Sequence, residues 1–226
     1  GAGSNTLIRD GGIEGITIKL SSAFSYTKLN PKNIIEVGAA TQDKKVADFA
    51  MDNSLTGLEF LACIPGSIGG AVRMNTGCYN NDISQILHSI KVIDLQGNLK
   101  EILAKDVKFS YRSTNLEENL IVTSVKLVGK SSAKEKIQEK QKAMVERKKI
   151  SQPSQIKTCG STFKNSKNKK AWELIKESNC ENFKVGDAQI SEKHCNFFIN
   201  NGKTTSKDLE ELINKVKETV YQKTKI

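Results

Sequence analysis

The chain has 226 residues, 37% of them hydrophobic, which is enough for one or two domains with cores of their own. Its 35 basic and 25 acidic side chains give a net charge of +10, which raises the question of nucleic-acid binding. The basic residues concentrate at 134–149, mixed with acids as on a solvated helix face, and at 164–170. Neither cluster carries the interleaved aromatic residues on which single strands stack. The composition therefore favours a small polyanionic ligand over nucleic acid.

The cysteines and histidines argue against a metal site. There are five cysteines, widely spaced and without a Cys-x-x-Cys pair, and two histidines without His-x-x-x-His. This pattern argues against a disulfide framework and is typical of a reducing cytoplasm. No apolar run approaches the ~20 residues of a membrane helix. No signal peptide is recognised, and because residue 1 is Gly rather than Met, we expect the native N-terminus to lie further upstream.

Hydrophobic periodicity predicts the elements of the first part of the chain. Strands are expected at 16–20, 34–37 and 120–128, and a helix from Lys45, ended before Gly57. Residues 90–94 and 99–103 flank Gln96-Gly97-Asn98 and predict a hairpin. A charged helix is predicted over 133–149.

The polar segment 151–154, with a proline directly after this helix, predicts a domain boundary. Beyond it we expect a short helix around Trp172, a strand over 195–199 and a final helix with apolar residues from 209 to 220. Thr205 and Asp208 have the spacing of a capping box. Hairpin strands mixed with separate helices predict an α+β fold.

The stretch 64–77, Ile-Pro-Gly-Ser-Ile-Gly-Gly-Ala-Val-Arg-Met-Asn-Thr-Gly, is rich in glycine yet carries apolar residues and no acid. It is therefore expected to be buried. One interpretation is a tight irregular turn that only packs against the core. The other is a main-chain cradle for a large flat or phosphorylated cofactor, which glycine allows to approach. The opening segment 1–5, Gly-Ala-Gly-Ser-Asn, has donors suited to a pyrophosphate.

Several motifs carry a family resemblance, which their order along nearly the whole chain makes specific. They are residues 1–5, 57–61, 64–70, 74–77, 111–113 (Tyr-Arg-Ser), 160–165 (Gly-Ser-Thr-Phe-Lys-Asn) and 191–197 (Ser-Glu-Lys-His-Cys-Asn-Phe). In this order they resemble the UDP-N-acetylenolpyruvoylglucosamine reductase family, and the short separation of the last motifs resembles its shorter subtype.

The resemblance implies a two-part FAD-binding domain, similar to vanillyl-alcohol oxidase and CO-dehydrogenase flavoproteins, followed by a small α+β substrate domain. The expected boundaries are 1–39 for the remainder of the first FAD subdomain, 40–150 for the second and 151–226 for the substrate domain. The implied reaction uses NADPH and FAD to reduce UDP-N-acetylglucosamine enolpyruvate to UDP-N-acetylmuramate in peptidoglycan synthesis. A cytoplasmic monomer without metal, membrane or nucleic-acid partner is expected.

Two catalytic residues follow from the resemblance. Arg112 matches an arginine that faces the substrate carboxylate, where charge develops as hydride arrives. Ser161 matches a proton donor, although a free hydroxyl is a poor acid and needs support for its alkoxide. The alternatives are an arginine paired with a nearby acid such as Glu117, and a serine that only forms a turn or caps a helix.

The resemblance also implies binding residues. Those for FAD are Gly1, Gly3, Ser4, Asn5, Gly66, Ile68, Gly69, Gly70 and Asn75. Those for the substrate are Tyr111, Lys149, Lys164 and Asn165, and for Lys149 and Asn165 an ordinary surface role is the alternative. His194 is expected to be structural or to support a substrate loop.

The sequence also departs from the family pattern. A strand-helix-strand segment before Gly1 and a Leu-x-x-Glu segment after Ile226, whose glutamate helps proton transfer, have no counterpart. The chain is therefore expected to be a fragment. Asp187 stands where glycine is usual in the family, and it introduces a charge near the loop of the predicted substrate domain.

Two other functions stay open from the sequence. One is an FAD-dependent oxidase on the same fold, which the 111–113 and 160–165 motifs argue against. The other is a non-enzymatic basic fragment that binds a nucleotide.

Overall fold

The computed structural model describes residues 3–226, so Gly1 and Ala2 lie outside the described residues. The contacts divide the chain into two compact units. The N-terminal unit contains residues 18–148, and the C-terminal unit contains residues 3–17 and 149–226. The boundaries at 39/40 and 150/151 implied by the resemblance stay a prediction.

The N-terminal unit is built on antiparallel strands. They are β1 (Thr27–Asn30), β2 (Ile34–Gly38), β3 (Leu55–Thr56), β4 (Gly77–Cys78), β5 (Asn81–Asp82), β6 (Leu87–Ile93), β7 (Leu99–Leu103), β8 (Phe109–Ser110), β9 (Ser113–Thr114), β10 (Ile121–Val128) and β11 (Lys130–Ser131). Five of them form one sheet in the order β1-β2-β10-β6-β7, and the others form the short pairs β3–β11, β4–β5 and β8–β9. The helices are α1 (Asp43–Asp52), α2 (Ile68–Arg73) and α3 (Lys134–Ser151), whose last residues fall past the end of this unit, and the 3₁₀ turns are Ser22–Phe24, Glu59–Cys63, Ile83–Gln85 and Ala104–Asp106.

One hydrophobic core holds this unit together. Burial in that core explains why hydrophobic periodicity predicted the elements of the unit. The central strand β10 alternates buried and less buried residues because only one face of the sheet is covered. Helix α1 buries Val46, Ala47 and Ala50 at helical spacing. The predicted helix from Lys45, the strand at 34–37, the 90–103 hairpin and the long strand ending at 128 are all confirmed. The charged helix is confirmed too, with Ile137 buried.

Glu59 is a buried carboxylate within this core, with 2% of its surface exposed. It accepts hydrogen bonds from the Thr56 hydroxyl and from the Gly57 N–H at 2.8 Å, and Lys140 Nζ lies 3.2 Å away. Burial raises its pKa, but these partners more than offset that effect and the net pKa is lowered. The carboxylate is therefore charged and satisfied inside the unit.

The strand predicted at 16–20 is wrong. These residues have no regular structure, and Ile16 and Ile18 are 91% and 66% exposed. An alternating pattern stabilises a strand only where a neighbouring strand pairs with it.

The C-terminal unit packs two helices on a three-stranded antiparallel sheet of order β12-β13-β14. Its strands are β12 (Lys184–Val185), β13 (Ala188–Ile190) and β14 (Phe198–Asn200), and its helices are α4 (Ala171–Glu177) and α5 (Ser206–Thr224). Thr205 and Asp208 form the predicted capping box at the start of α5. The strand predicted at 195–199 begins only at Phe198, because residues 195–197 turn toward Ser161.

The α+β fold class is thus confirmed by antiparallel sheets with separate helices. Within residues 3–226, no helix combines the length and the apolar character that crossing a bilayer requires.

Candidate functional site

The glycine-rich stretch forms an extended entry and the short helix α2 rather than an irregular turn. Its glycines Gly66, Gly69 and Gly70 all have ordinary negative φ, so conformational freedom is not the reason for them. A Cβ on Gly69 would lie 2.9 Å from the Ala39 Cβ, which means that Gly69 is needed for packing against β2 and its extension. Gly70, in contrast, is exposed, and a Cβ there would have no neighbour closer than Ser67 Oγ at 3.9 Å.

Main-chain hydrogen bonds hold this stretch against the sheet. The N–H of Ile68 donates to the Thr41 carbonyl at 2.9 Å, and that of Gly69 donates to the Ala39 carbonyl at 3.0 Å. The Ile68 side chain is fully buried. Ile68 and Gly69 therefore support the loop, and Gly70 is the glycine whose main chain a ligand could reach.

Asn75 also serves the fold through its side chain. Its amide donates to the Ser110 carbonyl at 3.1 Å, and its Oδ1 accepts the N–H of Ser84 at 3.1 Å. The residue is 4% exposed and has φ +39°. It thus joins the end of the glycine-rich stretch to the hairpin β8–β9.

Asp43, which the sequence analysis missed, lies under the same stretch. Its N–H donates to the Gly66 carbonyl at 3.1 Å, but neither oxygen of its fully buried carboxyl group has a hydrogen-bond partner in residues 3–226. Burial raises its pKa to about 8. An acid at the first position of a helix suggests only a surface charge, so the sequence carried no signal of this burial.

Arg112 lies at the tip of the β8–β9 hairpin with a left-handed main chain, φ +58°. Its Nη2 donates to the Gly77 carbonyl at 2.6 Å, its Nη1 lies 3.5 Å from the Asn75 carbonyl, and its guanidinium stacks 5.1 Å from the Tyr111 ring centre. Carbonyl acceptors carry no net charge, so the guanidinium keeps its own. With five N–H donors in all, donors remain for a ligand.

The alternative pairing of Arg112 with Glu117 is not found: in residues 3–226 no carboxylate lies within ion-pair distance of Arg112. Arg73 occupies that region instead, and donates to the carbonyls of Leu116, Glu117 and Leu120. Arg73 thereby closes the loop that follows β9, a role that its place in the glycine-rich stretch did not suggest.

Ser161 is exposed and follows Gly160, which has φ +85°. It pairs with Phe197 in an isolated bridge, and no hydrogen-bond partner of its hydroxyl is seen in the described part of the chain. Asn196, 3% exposed, fixes the next residues: its carbonyl accepts the Thr162 N–H at 2.8 Å, and its side chain exchanges two 2.9 Å hydrogen bonds with the Phe163 main chain. Asn196 therefore positions the Ser161 segment.

The predicted substrate residues of the C-terminal unit are solvent-exposed. Asn165 accepts the Ala171 N–H at 3.0 Å and so begins helix α4, while Lys164 and Asn165 also line a cavity of about 190 Å³ beside Val216. The carbonyl of Lys149 accepts a hydrogen bond from the ammonium of Lys193.

His194 has a structural contact. Its Nδ1 accepts the Asn196 N–H at 3.2 Å, and its ring meets that of Phe197 edge to face. Burial lowers its pKa, which favours the neutral ring that such an acceptor requires.

The predicted pyrophosphate segment falls partly outside the described residues, since Gly1 is not described. Gly3 has φ +69° with open space at its Cβ position, and Ser4 and Asn5 continue the same turn within the C-terminal unit. Gly66, Gly69 and Gly70 belong to the N-terminal unit. That these residues share one cofactor site stays a prediction.

Comparison with known proteins covers both units. Residues 1–103 match the family described as FAD binding domain, and residues 152–226 match the C-terminal domain of UDP-N-acetylenolpyruvoylglucosamine reductase. These matches confirm the predicted FAD-binding region followed by an α+β domain.

Relatives of the same name match over nearly the full chain. The protein from Pelagibacter ubique is 45% identical over 100% of this chain and 76% of its own length, and one from Wolbachia of Drosophila simulans is 44% identical over 99% and 76%. The crystal structure of the reductase from Thermus caldophilus aligns with a TM-score of 0.88 at 34% identity, covering 96% of this chain and 79% of the other. The chain therefore belongs to the UDP-N-acetylenolpyruvoylglucosamine reductase family.

Proposed function

We propose that this chain is the major part of an FAD-dependent reductase that converts UDP-N-acetylglucosamine enolpyruvate to UDP-N-acetylmuramate for peptidoglycan synthesis. The observation that carries the proposal is the similarity to reductases of that name over the full length of the chain. The finer assignment to a reaction on a carbon–carbon double bond, with NADPH as reductant, is supported by the resemblance of the motifs.

The N-terminal unit fits a cofactor of this kind at Gly70. The exposed main chain there has open space where a Cβ would project, whereas Gly69 beside it is closed by Ala39. Gly66, Ile68 and Gly69 hold the stretch in place, and Asn75 joins it to the hairpin that carries Arg112. When bound, FAD supplies hydride transfer to the substrate.

Arg112 is proposed to bind the carboxylate of the enolpyruvyl group. The Gly77 and Asn75 carbonyls orient its planar group without neutralising it, and Tyr111 lies against its face. A guanidinium held in this way can bind a carboxylate by donating two parallel hydrogen bonds to it. As the substrate carbon gains negative charge, this cation stabilises it without having to rearrange.

Ser161 is proposed to donate the proton to the neighbouring substrate carbon. Its hydroxyl is exposed, and the hydrogen bonds of Asn196 to residues 162 and 163 limit its movement. Tyr111, Lys149, Lys164 and Asn165 are proposed to contact the sugar nucleotide, with the lysines complementing the diphosphate charge.

Removing the Ser161 hydroxyl should affect only one of the two half-reactions, the reduction of the substrate, and not the reduction of the flavin. In the full-length protein, Ser161→Ala should lower substrate turnover by at least ~100-fold, a typical contribution of a general acid. Bleaching of the flavin absorbance by NADPH should stay near the wild-type rate, because that half-reaction needs no proton from the serine. Stopped-flow absorbance of each half-reaction is the measurement. Wild-type turnover in the variant would contradict the assignment.

Alanine substitutions at the adjacent glycines Gly69 and Gly70 form a matched pair that tests cofactor binding. Gly70→Ala should leave folding intact, or improve it slightly because alanine favours a helix, and weaken FAD binding at least ~10-fold. Gly69→Ala should lower the free energy of unfolding by about 1–3 kcal/mol through its clash with Ala39. Calorimetric FAD titration and urea unfolding test the pair. Wild-type FAD affinity in Gly70→Ala would show that no ligand approaches Gly70.

The remaining properties are proposals as well. A cytoplasmic location is in keeping with the five cysteines, all of them free and none arranged as a framework. That the protein is a monomer is proposed from the family resemblance alone. Preference for NADPH over NADH can be tested by comparing flavin bleaching with each nucleotide.

A further inference from the structure

A pair of cysteines lies beside the main chain that holds Arg112. Cys63 ends the 3₁₀ turn Glu59–Cys63 and is 5% exposed, while Cys78 ends β4 and is partly exposed. The Cys78 sulfur lies 3.5 Å from the carbonyl oxygen of Phe60. Strand β4 packs against this 3₁₀ turn, and Phe60 and Cys63 are one turn apart in it, so Cys78 lies against the element that carries Cys63.

The two thiols influence each other. The neighbouring Cys78 thiol lowers the pKa of Cys63 below that of an ordinary thiol, with help from Lys148 and against the effect of burial. The pKa of Cys78 is raised by the same contact. Lys148 also donates to the Cys63 carbonyl. The pair therefore combines a more acidic thiol, Cys63, with a partner, Cys78, that holds its proton more firmly, an arrangement suited to disulfide formation.

We propose that Cys63 and Cys78 form a reversible disulfide, and that its closure displaces the main chain that holds Arg112. Gly77, whose carbonyl accepts the 2.6 Å hydrogen bond from Arg112, directly precedes Cys78. The two sulfurs must approach to about 2 Å to bond, so Cys78 moves toward the turn and takes the Gly77 carbonyl with it. Formation of the disulfide does not depend on the proposed function, whereas its effect on turnover rests on the role proposed for Arg112.

The oxidant is a small hydroperoxide such as hydrogen peroxide, the class that fits the low exposure of Cys63. The Cys63 thiolate attacks one peroxide oxygen, the O–O bond breaks, and a sulfenic acid and hydroxide result. The Cys78 sulfur then attacks the Cys63 sulfur, the S–O bond breaks, and the oxygen leaves as water. Two thiols and one peroxide thus give one disulfide and two waters. A dithiol reverses the reaction, as expected for a transient disulfide in a reducing compartment.

Peptide mapping tests the bond directly, because trypsin separates the two cysteines. Cleavage after Lys45, Arg73 and Lys91 puts Cys63 in peptide 46–73 and Cys78 in peptide 74–91. After treatment of the full-length flavoprotein with peroxide and alkylation, we expect a linked pair of these peptides that dithiothreitol removes. Both peptides recovered fully alkylated and unlinked, or each carrying its own sulfinic acid, would overturn the proposal.

Variants separate this pair from the other thiols and test the effect on Arg112. Cys63→Ser should abolish the linked peptides, while Cys180→Ser, which removes a buried thiol of the C-terminal unit, should retain them. Turnover of the wild type should fall at least several-fold on oxidation and return with dithiothreitol, and the Cys63→Ser enzyme should lose this response. Linked peptides with unchanged turnover would refute the displacement of Arg112. An absence of turnover already in the reduced enzyme would refute the proposed function instead.

Discussion

Replacing Asp43 by asparagine should change the way in which the stability of the protein depends on pH. The carboxyl group is fully buried, its oxygens have no hydrogen-bond partner in residues 3–226, and burial raises its pKa from 3.8 to about 8. Between these two values the folded chain retains a proton that the unfolded chain releases. The free energy of unfolding therefore falls as pH rises through this window.

The size of the effect follows from the same shift. One proton of difference costs on the order of 1 kcal/mol per pH unit, so wild-type stability should decline by several kcal/mol between about pH 4 and pH 8 from this group alone. Asparagine has a similar shape and no titration. The difference in unfolding free energy, Asp43→Asn minus wild type, should therefore grow with pH across the window and level off above pH 8.

Urea unfolding followed by circular dichroism at pH 5, 6, 7 and 8 measures this difference. Asp52→Asn is the matched control, since it removes an exposed acid from the end of the same helix, and its curve should run parallel to that of the wild type. If the Asp43→Asn and wild-type curves are also parallel, the buried carboxyl group is not protonated as the structure requires.

Two further substitutions each test one polar contact, a buried one in the N-terminal unit and a helix cap in the C-terminal unit. Glu59→Gln should lower the free energy of unfolding by about 1–3 kcal/mol at pH 7, because a buried acceptor loses its charge opposite Lys140. Since the net pKa of Glu59 is lowered, this loss is present above pH 4.5 and should fade as the pH falls through the folded pKa, which urea unfolding at pH 3.5 and 7 would reveal. Thr205→Ala should cost about 1 kcal/mol by opening the capping box with Asp208, whereas Thr219→Ala in the same helix should change the melting temperature little.

The sequence predicted those elements whose stability is local. Helices α1 and α5 and strand β6 bury apolar residues at the spacing of their own secondary structure. The strand at 16–20 failed because alternation alone does not supply a partner strand, and Ile16 is left in solvent. Helix α2 was not foreseen either, since its glycines are poor helix formers and tertiary contact holds them.

The candidate site likewise contains residues that sequence motifs singled out and residues that only the structure showed. Motifs singled out Arg112 and Ser161 as candidates, because chemistry constrains residue type locally, and their catalytic roles stay a proposal. They could not show that Asn196 fixes the Ser161 segment, or that the Asp43 carboxyl is buried, because those facts depend on which distant residues fold together. The contact of Cys78 with the turn Glu59–Cys63 is likewise visible only in three dimensions.

Residues 3–17 belong to the C-terminal unit although they are distant in sequence from the rest of it, and this determines where the protein can be cut into stable fragments. Asp10 accepts the N–H groups of Ser206 and Lys207 at 2.9 and 3.2 Å, its own N–H donates to Ser206 Oγ, and Arg9 pairs with Glu210. The first turn of α5 is thus completed by residues almost two hundred positions earlier in the chain. A polypeptide starting at Lys149 would begin α5 with those amides uncovered, whereas one that also carries residues 3–17, attached after residue 226 by a linker long enough to return along α5, keeps them paired.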